Sequence, residues 1–161
     1  MDDLSDVKNR KGKDRMEILV KYFENAEGQK QNEIKKLAKG DWIDLCSNET
    51  KELKKGEFAL IHLGVGMKLP DGFEAHLAPR SSTFKKWHIL QTNSVGVIDN
   101  SYSGDNDEWM MPVYATEDTK IERGDRICQF RIMERQSEVS LVTVEHLDET
   151  DRGGFGSSGT K

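Results

Sequence analysis

Short apolar runs, each closed by a tight group of turn-forming residues, repeat along most of this chain. The groups Lys54-Lys55-Gly56, Pro70-Asp71-Gly72 and Glu122–Asp125 combine the residues that favour tight turns. Short strands at this spacing are typical of an antiparallel sandwich or barrel, and a short helix is indicated only over 82–87. We therefore predict an all-β, jelly-roll-like antiparallel fold with one short helix. The apolar runs are 16–23, 58–69, 73–78, 109–115, 127–133 and 139–144.

Alternation within two of these runs predicts which side chains share a face. In the first, Phe58, Leu60 and His62 lie on one side of the strand, and the opposite side, with Ala59 and Ile61, is too apolar for a clean solvent face. In the second, alternation places Arg126, Cys128 and Phe130 together, opposite Ile127 and Gln129.

The two ends of the chain differ from this body. Residues 1–15 are polar and charged, so we expect a mobile polar extension, followed by a β core over 16–150. Residues 151–161 hold several glycines around one phenylalanine, a composition that cannot form a stable helix or strand alone. We expect a flexible Gly-rich C-terminal arm, either a frayed end or a flap ordered by a ligand.

Length, charge and cysteine content narrow the class of protein. The chain has 161 residues, enough for one domain with a core, and no apolar run of membrane-spanning length. Its net charge of -5 argues against nonspecific nucleic-acid binding. Cys46 and Cys128 lack metal-site spacing and suit small buried thiols better than a disulfide. We predict a cytoplasmic protein that binds neither membranes nor nucleic acid.

The segment 93–104 is the strongest candidate for chemistry. The strand-forming pair Val97 and Ile98 leads into Asp99, and the residues that follow are rich in Asn, Ser and Gly. This pattern predicts a β-hairpin that holds a carboxylate beside a tight backbone curve. Either Asp99 bonds only to its own turn, or the hairpin edge binds a flat ligand while the carboxylate acts on a neighbouring atom.

Three further segments suit an anion or leave alternatives open. Ser81 or Ser82 can cap the predicted helix, and Arg80 adds a planar cation suited to phosphate oxygens; an ordinary helix cap with a surface arginine is the alternative. Gln129 lies mid-strand between apolar residues and needs a hydrogen-bond partner if buried. Asp44 is either a strand-edge residue or a carboxylate that orients water near a metal.

Read in order, these segments resemble the five motifs of the trimeric dUTPases (deoxyuridine 5'-triphosphate nucleotidohydrolases). The matching pieces are Gly-Asp-Trp-Ile-Asp-Leu at 40–45, Pro-Arg-Ser-Ser at 79–82, the segment 93–104, Arg-Ile-Cys-Gln at 126–129 and the arm at 152–159. The Gly-Asp-Asn-Asp-Glu-Trp continuation at 104–109 is similar to versions from Gram-positive bacteria and their phages. Ser103 and Cys128 stand where that family usually has arginine and alanine.

The resemblance implies hydrolysis of dUTP to dUMP and pyrophosphate by attack at the α-phosphorus, which removes dUTP and supplies dUMP for dTMP synthesis. It implies that Asp99 is the general base for the attacking water. Tyr102 would pack under the deoxyribose and exclude a 2′-hydroxyl. Asn93, with the backbone of Gly96, Val97 and Ile98, would bind the polar edge of uracil.

The resemblance also assigns residues to the triphosphate. It implies a Mg²⁺ ion held by phosphate oxygens and water, with no direct protein ligand and with Asp44 acting at most through water. It implies a homotrimer whose chains share each active site. Arg80, Arg126 and Gln129 match residues around the phosphates or the neighbouring subunit. The residues assigned to the phosphates or to closure over the base are Ser81, Ser82, Arg152, Phe155, Gly156, Ser157 and Ser158.

Two other functions fit parts of the sequence. A dCTP deaminase shares the implied fold but needs a carboxylate that activates water at the base, usually a glutamate. A phage regulator that binds a repressor protein is the non-enzymatic alternative, and the polar segments 1–15 and 25–36 could serve such binding.

Overall fold

The computed structural model describes residues 16–154. The expected extension at 1–15 and the arm residues Phe155, Gly156, Ser157 and Ser158 lie outside the described residues. Within the described range the chain forms one helix and a set of short antiparallel strands. These are β1 Leu19–Tyr22, β2 Ile43–Cys46, β3 Lys51–Leu53, β4 Phe58–His62, β5 Val65–Lys68, β6 Phe73–Pro79, α1 Thr83–Trp87, β7 Ile89–Gln91, β8 Gly96–Ile98, β9 Met110–Ala115, β10 Thr119–Ile121 and β11 Arg126–Glu134.

The largest sheet has the strand order β2-β11-β6-β8, and every neighbouring pair is antiparallel. A second sheet has the order β4-β9-β7, and β1-β5 and β10-β3 form two-stranded sheets. The core contains Trp109 against Phe130, with ring centroids 5.4 Å apart and edge-to-face geometry. Ile61, Leu77 and Met111 are also fully buried. The predicted all-β, jelly-roll-like fold with one short helix is confirmed.

The long apolar run at 58–69 is two strands rather than one. It turns at Gly64, which has a φ of +66°, and a Cβ atom there would lie 2.6 Å from the Asn48 side chain. In β4 the alternation buries Ala59 and Ile61 and exposes Phe58 and Leu60. The side with the smaller and branched residues is therefore the core side.

The predicted alternation of β11 is wrong at its start. The register shifts between Arg126 and Cys128, so Ile127 is an extra residue and both Ile127 and Cys128 are buried. A β-bulge of this kind changes which side of the strand each residue occupies. From Cys128 onward Phe130 stays in the core and Gln129 is half-buried. Cys46 and Cys128 are free thiols, as predicted.

The strand predicted over 139–144 is absent. Residues 139–144 have no regular secondary structure and pair with no other strand of the described chain, and Leu141 and Val142 are 92% and 78% exposed. An apolar run forms a strand only where a neighbouring edge offers hydrogen bonds, and the described part of one chain provides none here. Among residues 16–154 no helix is long and apolar enough to cross a membrane.

Candidate functional site

Asp99 lies directly after β8, at the first residue of a tight turn. Its carboxylate accepts a hydrogen bond from the Ser101 backbone N–H at 2.8 Å, and its carbonyl accepts one from the Tyr102 N–H at 3.0 Å. The next residue, Asn100, anchors the turn by donating to the carbonyls of Leu69 and Pro70. The sequence Asp-Asn-Ser therefore folds as a side-chain-capped turn that fixes an exposed carboxylate.

Hydrogen bonds set the ionisation of Asp99. The Ser101 hydroxyl and then the Ser101 backbone N–H lower the pKa of this carboxyl below its ordinary value, and the positive charge of Arg135 lowers it further. Asp99 is therefore an anion, able to accept a proton, over the whole neutral range.

Tyr102 lies beside Asp99 with a fixed phenol. Its hydroxyl donates to the Glu108 carbonyl at 3.0 Å, although the residue is 39% exposed. Burial raises the pKa of this phenol, and the negative charges of Asp107 and Glu108 raise it further. The phenol therefore stays neutral and keeps its proton as a donor.

Residues of the segment 93–104 line a pocket of about 470 Å³, called the hairpin pocket below after the predicted hairpin segment. The predicted β-hairpin itself is wrong, because β8 pairs only with β6 and the residues that follow form a turn. The structure brings together in this pocket the predicted residues Asn93, Gly96–Asp99 and Tyr102. Because β8 is an edge strand, alternate N–H and C=O groups of Gly96–Ile98 point away from β6. A flat molecule with a polar edge can pair with these groups while its faces contact apolar side chains. Trp109 and Met110 also line this pocket and were not predicted from the sequence.

A second group of charges lies at the other end of β6. Arg80 Nε contacts Asp44 Oδ1 at 3.0 Å, and Arg126 Nη1 contacts Asp44 Oδ2 at 3.2 Å. Both carboxylate oxygens of Asp44 are thus in ion pairs. This favours a structural role for Asp44 over the orientation of water near a metal. Two guanidinium groups against one carboxylate leave this cluster with net positive charge, which suits an anion.

The start of α1 differs from the prediction. Ser82 is the N-cap residue but makes no side-chain cap hydrogen bond, so the predicted serine cap is wrong. Instead the buried Thr83 hydroxyl accepts the Arg80 N–H at 2.8 Å and donates to the Ile127 carbonyl at 2.8 Å. Ser81 is exposed beside Arg80.

Gln129 has a structural partner. Its Nε2 donates to the Pro79 carbonyl at 3.1 Å, which ties β11 to the end of β6 next to Arg80. The described part of the C-terminal arm includes Arg152, which is exposed.

The two groups do not meet within one chain. Ile98, next to Asp99, pairs with Ala75, and Arg80 lies five residues beyond Ala75 along the strand direction, a separation of roughly 17 Å. A pocket of about 570 Å³ includes Asp44 and Arg126 but none of the hairpin residues. It is larger than the pocket beside Asp99, where the predicted chemistry lies.

Metal binding by protein ligands alone does not fit the described residues. Residues 16–154 contain no group of three or more His, Cys, Asp or Glu side chains that could hold a metal ion. Asp44, the residue predicted to act on a metal through water, is occupied by two arginines.

Glu108 and Trp109 are the main residues of this site that the sequence did not single out. They lie in the loop 104–109, whose composition indicates only a polar connection. The sequence pattern that could have indicated these two residues is an acidic residue directly before a large aromatic residue at the start of an apolar strand.

Comparison with known proteins gives consistent results. A family model described as dUTPase matches residues 39–160. The SPbeta prophage-derived deoxyuridine 5'-triphosphate nucleotidohydrolase YosS of Bacillus subtilis is 55% identical over 146 residues, which cover 91% of this chain and 100% of that protein.

Solved structures show the same fold. The Staphylococcus bacteriophage 80alpha dUTPase with dUpNHpp has a TM-score of 0.71 at 22% identity and covers 89% of this chain and 99% of that one. A dUTPase mutant from phage phi11 of S. aureus, described with a structural Mg(II) ion, has a TM-score of 0.68 at 19% identity and covers 83% of this chain and 99% of that one. The 80alpha protein is also described as controlling the transfer of virulence genes.

Proposed function

This chain belongs to the dUTPase family and hydrolyses dUTP, and on that premise we propose that Asp99 activates the attacking water at the hairpin pocket. The observation that carries this proposal is a fixed, ionised carboxylate at the rim of a pocket lined by an edge strand. Water is a poor nucleophile, and a positioned carboxylate supplies both orientation and proton affinity. Attack at the α-phosphorus then gives dUMP and pyrophosphate.

Substrate selection is proposed for the same pocket. The free groups of Gly96–Ile98, with Asn93, pair with the polar edge of uracil, and cytosine would leave some of these groups unpaired. Tyr102 packs under the sugar, where a 2′-hydroxyl would have no room. Its neutral phenol, bonded to Glu108, supports this fixed position.

The triphosphate is proposed to lie between chains. Arg80 and Arg126, with Ser81, Ser82 and Gln129 nearby, form the cationic end of β6, too far from Asp99 to serve the same nucleotide within one chain. A homotrimer in which one chain supplies the hairpin and another supplies the arginines resolves this separation. The arm residues Arg152, Phe155, Gly156, Ser157 and Ser158 are proposed to close over the bound nucleotide.

Magnesium is proposed to accompany the substrate. Phosphate oxygens and water are the ligands that Mg²⁺ prefers, and a Mg²⁺ ion would neutralise part of the triphosphate charge. In the shared site, Arg80 and Arg126 of one chain hold the phosphates and Asp99 of another accepts the proton of water. Cytoplasmic location and binding of a repressor protein stay predictions.

The test measures pyrophosphate and ammonia released from dUTP and dCTP by the purified protein with Mg²⁺. We expect pyrophosphate from dUTP and no ammonia from dCTP. Asp99→Asn should keep the fold and lower turnover by about 10²–10⁴-fold, the usual contribution of a general base. Asp118→Asn is the matched control, because Asp118 is also an exposed turn aspartate with a lowered pKa, held by Lys55 and Lys54. The control should keep wild-type turnover, and wild-type turnover in Asp99→Asn would rule out the assignment.

A further inference from the structure

Glu108 makes contacts on three sides at the edge of the hairpin pocket. Its Oε1 accepts the Gly64 backbone N–H at 2.9 Å, and its Oε2 contacts His62 Nδ1 at 2.9 Å. Its own carbonyl accepts the Tyr102 hydroxyl at 3.0 Å. The side chain of Glu108 is only 16% exposed, so these contacts are partly shielded from water.

The neighbours of Glu108 make this arrangement rigid. The next residue, Trp109, is buried, and its main chain bonds to Val65 at 2.7 Å and to Leu63 at 3.1 Å. The carboxylate of Glu108 contacts His62 and the Gly64 N–H, so it is bound to the turn between β4 and β5. The carbonyl that receives the Tyr102 hydroxyl is therefore fixed to the core of the protein and not to the hairpin itself.

We propose that Glu108 is a positioning residue for sugar selection, because it links the β4–β5 turn to the phenol of Tyr102. This inference rests on the proposed role of Tyr102 under the deoxyribose. A ring that excludes a hydroxyl must be held to within a fraction of its contact distance, since a small displacement opens the space for an oxygen atom. Tyr102 is half exposed, so packing alone does not hold it, and the link to Glu108 supplies the missing restraint.

The contacts with His62 and Gly64 explain why a glutamate suits the position that links the β4–β5 turn to Tyr102. A carboxylate accepts both hydrogen bonds at once, and bonds to an ionised group are stronger than those between neutral groups. The length of the glutamate side chain spans from the start of β9 to the turn at Gly64, where a Cβ atom would collide with Asn48 and Gln31.

The experiment compares kcat/KM for dUTP with kcat/KM for UTP. Glu108→Ala keeps the main-chain carbonyl that accepts the Tyr102 hydroxyl but removes the side-chain contacts with Gly64 and His62 that hold it. It should lower the dUTP-to-UTP ratio by about three- to tenfold, the range that one hydrogen bond typically controls. Tyr102→Phe removes the hydroxyl that donates to the Glu108 carbonyl, which is the other end of the link. It should lower the dUTP-to-UTP ratio similarly. The dUTP-to-UTP ratio of the double variant should fall no further than that of the more strongly affected single variant, because both changes interrupt one connection. Glu108→Gln keeps an oxygen for the Gly64 N–H and should recover most of the ratio.

The matched control is Glu117→Ala, which removes an exposed glutamate paired with Lys55 away from the pocket. It should keep the wild-type ratio. If Glu108 has a merely structural role, Glu108→Ala lowers kcat/KM equally for both substrates and leaves their ratio unchanged. That result would contradict the inference. Should Glu108→Ala fail to fold, Tyr102→Phe decides, and a wild-type ratio in that variant overturns the link. Loss of pyrophosphate release from dUTP by the wild-type protein would instead overturn the proposed function.

Discussion

At the scale of single residues, a lowered pKa does not by itself mark the base. Asp99 and Asp118 are both exposed turn aspartates, and in each the pKa is lowered by hydrogen bonds from the residues of its own or a neighbouring turn. What distinguishes Asp99 is its place at the rim of a pocket with Tyr102 and a free strand edge. Position, and not acidity, therefore identifies the candidate base.

Removing the Ser101 hydroxyl should raise the pKa of Asp99 towards its ordinary value of 3.8. The Ser101 side chain is the largest cause of the lowered value, so it stabilises the anion. Stabilisation from this group is present above its ordinary pKa and is lost as pH falls through the lowered one. An NMR titration of the Asp99 carboxyl in Ser101→Ala measures the shift, and the acid limb of kcat/KM should move to higher pH with it. An unchanged titration would show that Ser101 is not the cause.

At the scale of elements, one buried threonine joins three parts of the cationic group. Thr83 begins α1, accepts the N–H of Arg80 after β6, and donates to Ile127 in the bulge of β11. The bulge turns the Ile127 carbonyl out of the ladder, and the threonine hydroxyl satisfies it. Thr83 therefore holds the main chain at Arg80 and directly after Arg126, the two residues that pair with Asp44.

Thr83→Val should lower the free energy of unfolding by about 2–4 kcal/mol, because the same shape without the hydroxyl leaves one donor and one acceptor unpaired. Ser82→Ala, at the N-cap that makes no cap bond, should change it by less than about 0.5 kcal/mol. Urea unfolding of both variants at one protein concentration makes the comparison. A loss of unfolding free energy larger than this for Ser82→Ala would show that the Ser82 side chain does cap the helix.

At the scale of the whole molecule, the fold separates the two halves of the proposed site. Asp99 follows β8 near the start of β6, whereas Arg80 follows the end of β6, and antiparallel pairing holds them apart. A single chain is therefore expected to bind the base and sugar in one place and an anion in another. The proposed homotrimer makes one site from both halves.

Mixing two inactive variants should restore activity. Asp99→Asn lacks the proposed base, and Arg80→Ala lacks a proposed phosphate contact, so each homotrimer should be nearly inactive. After the chains are unfolded and refolded together, roughly a quarter of shared sites should contain an intact hairpin and an intact Arg80. Pyrophosphate release by the mixture, compared with each variant refolded alone, makes the measurement. No recovery in a mixture of proven mixed trimers would place both residues in one chain's site.

The sequence by itself determined the parts that depend on neighbouring residues. Turn groups of Gly, Pro, Asn and Asp mark strand ends because they set local backbone angles, so the all-β fold and the short helix could be predicted. The turn with Asp99 and Tyr102 could be predicted for the same reason, since it is made by its own residues. The strand pairing predicted with it was wrong, because β8 pairs with β6 and not with a strand of its own segment.

Only the tertiary structure decided the parts that depend on register between distant strands. The bulge at Ile127 changed which residues of β11 are buried, and the Asp44–Arg126 ion pair joins residues 82 positions apart. The contact between His62 and Glu108 joins residues 46 positions apart. A run such as 139–144 is rich in the β-branched residues that suit a strand, but a strand exists only where another edge supplies hydrogen bonds. Local patterns cannot specify such partners, because they arise from how separate strands align in space.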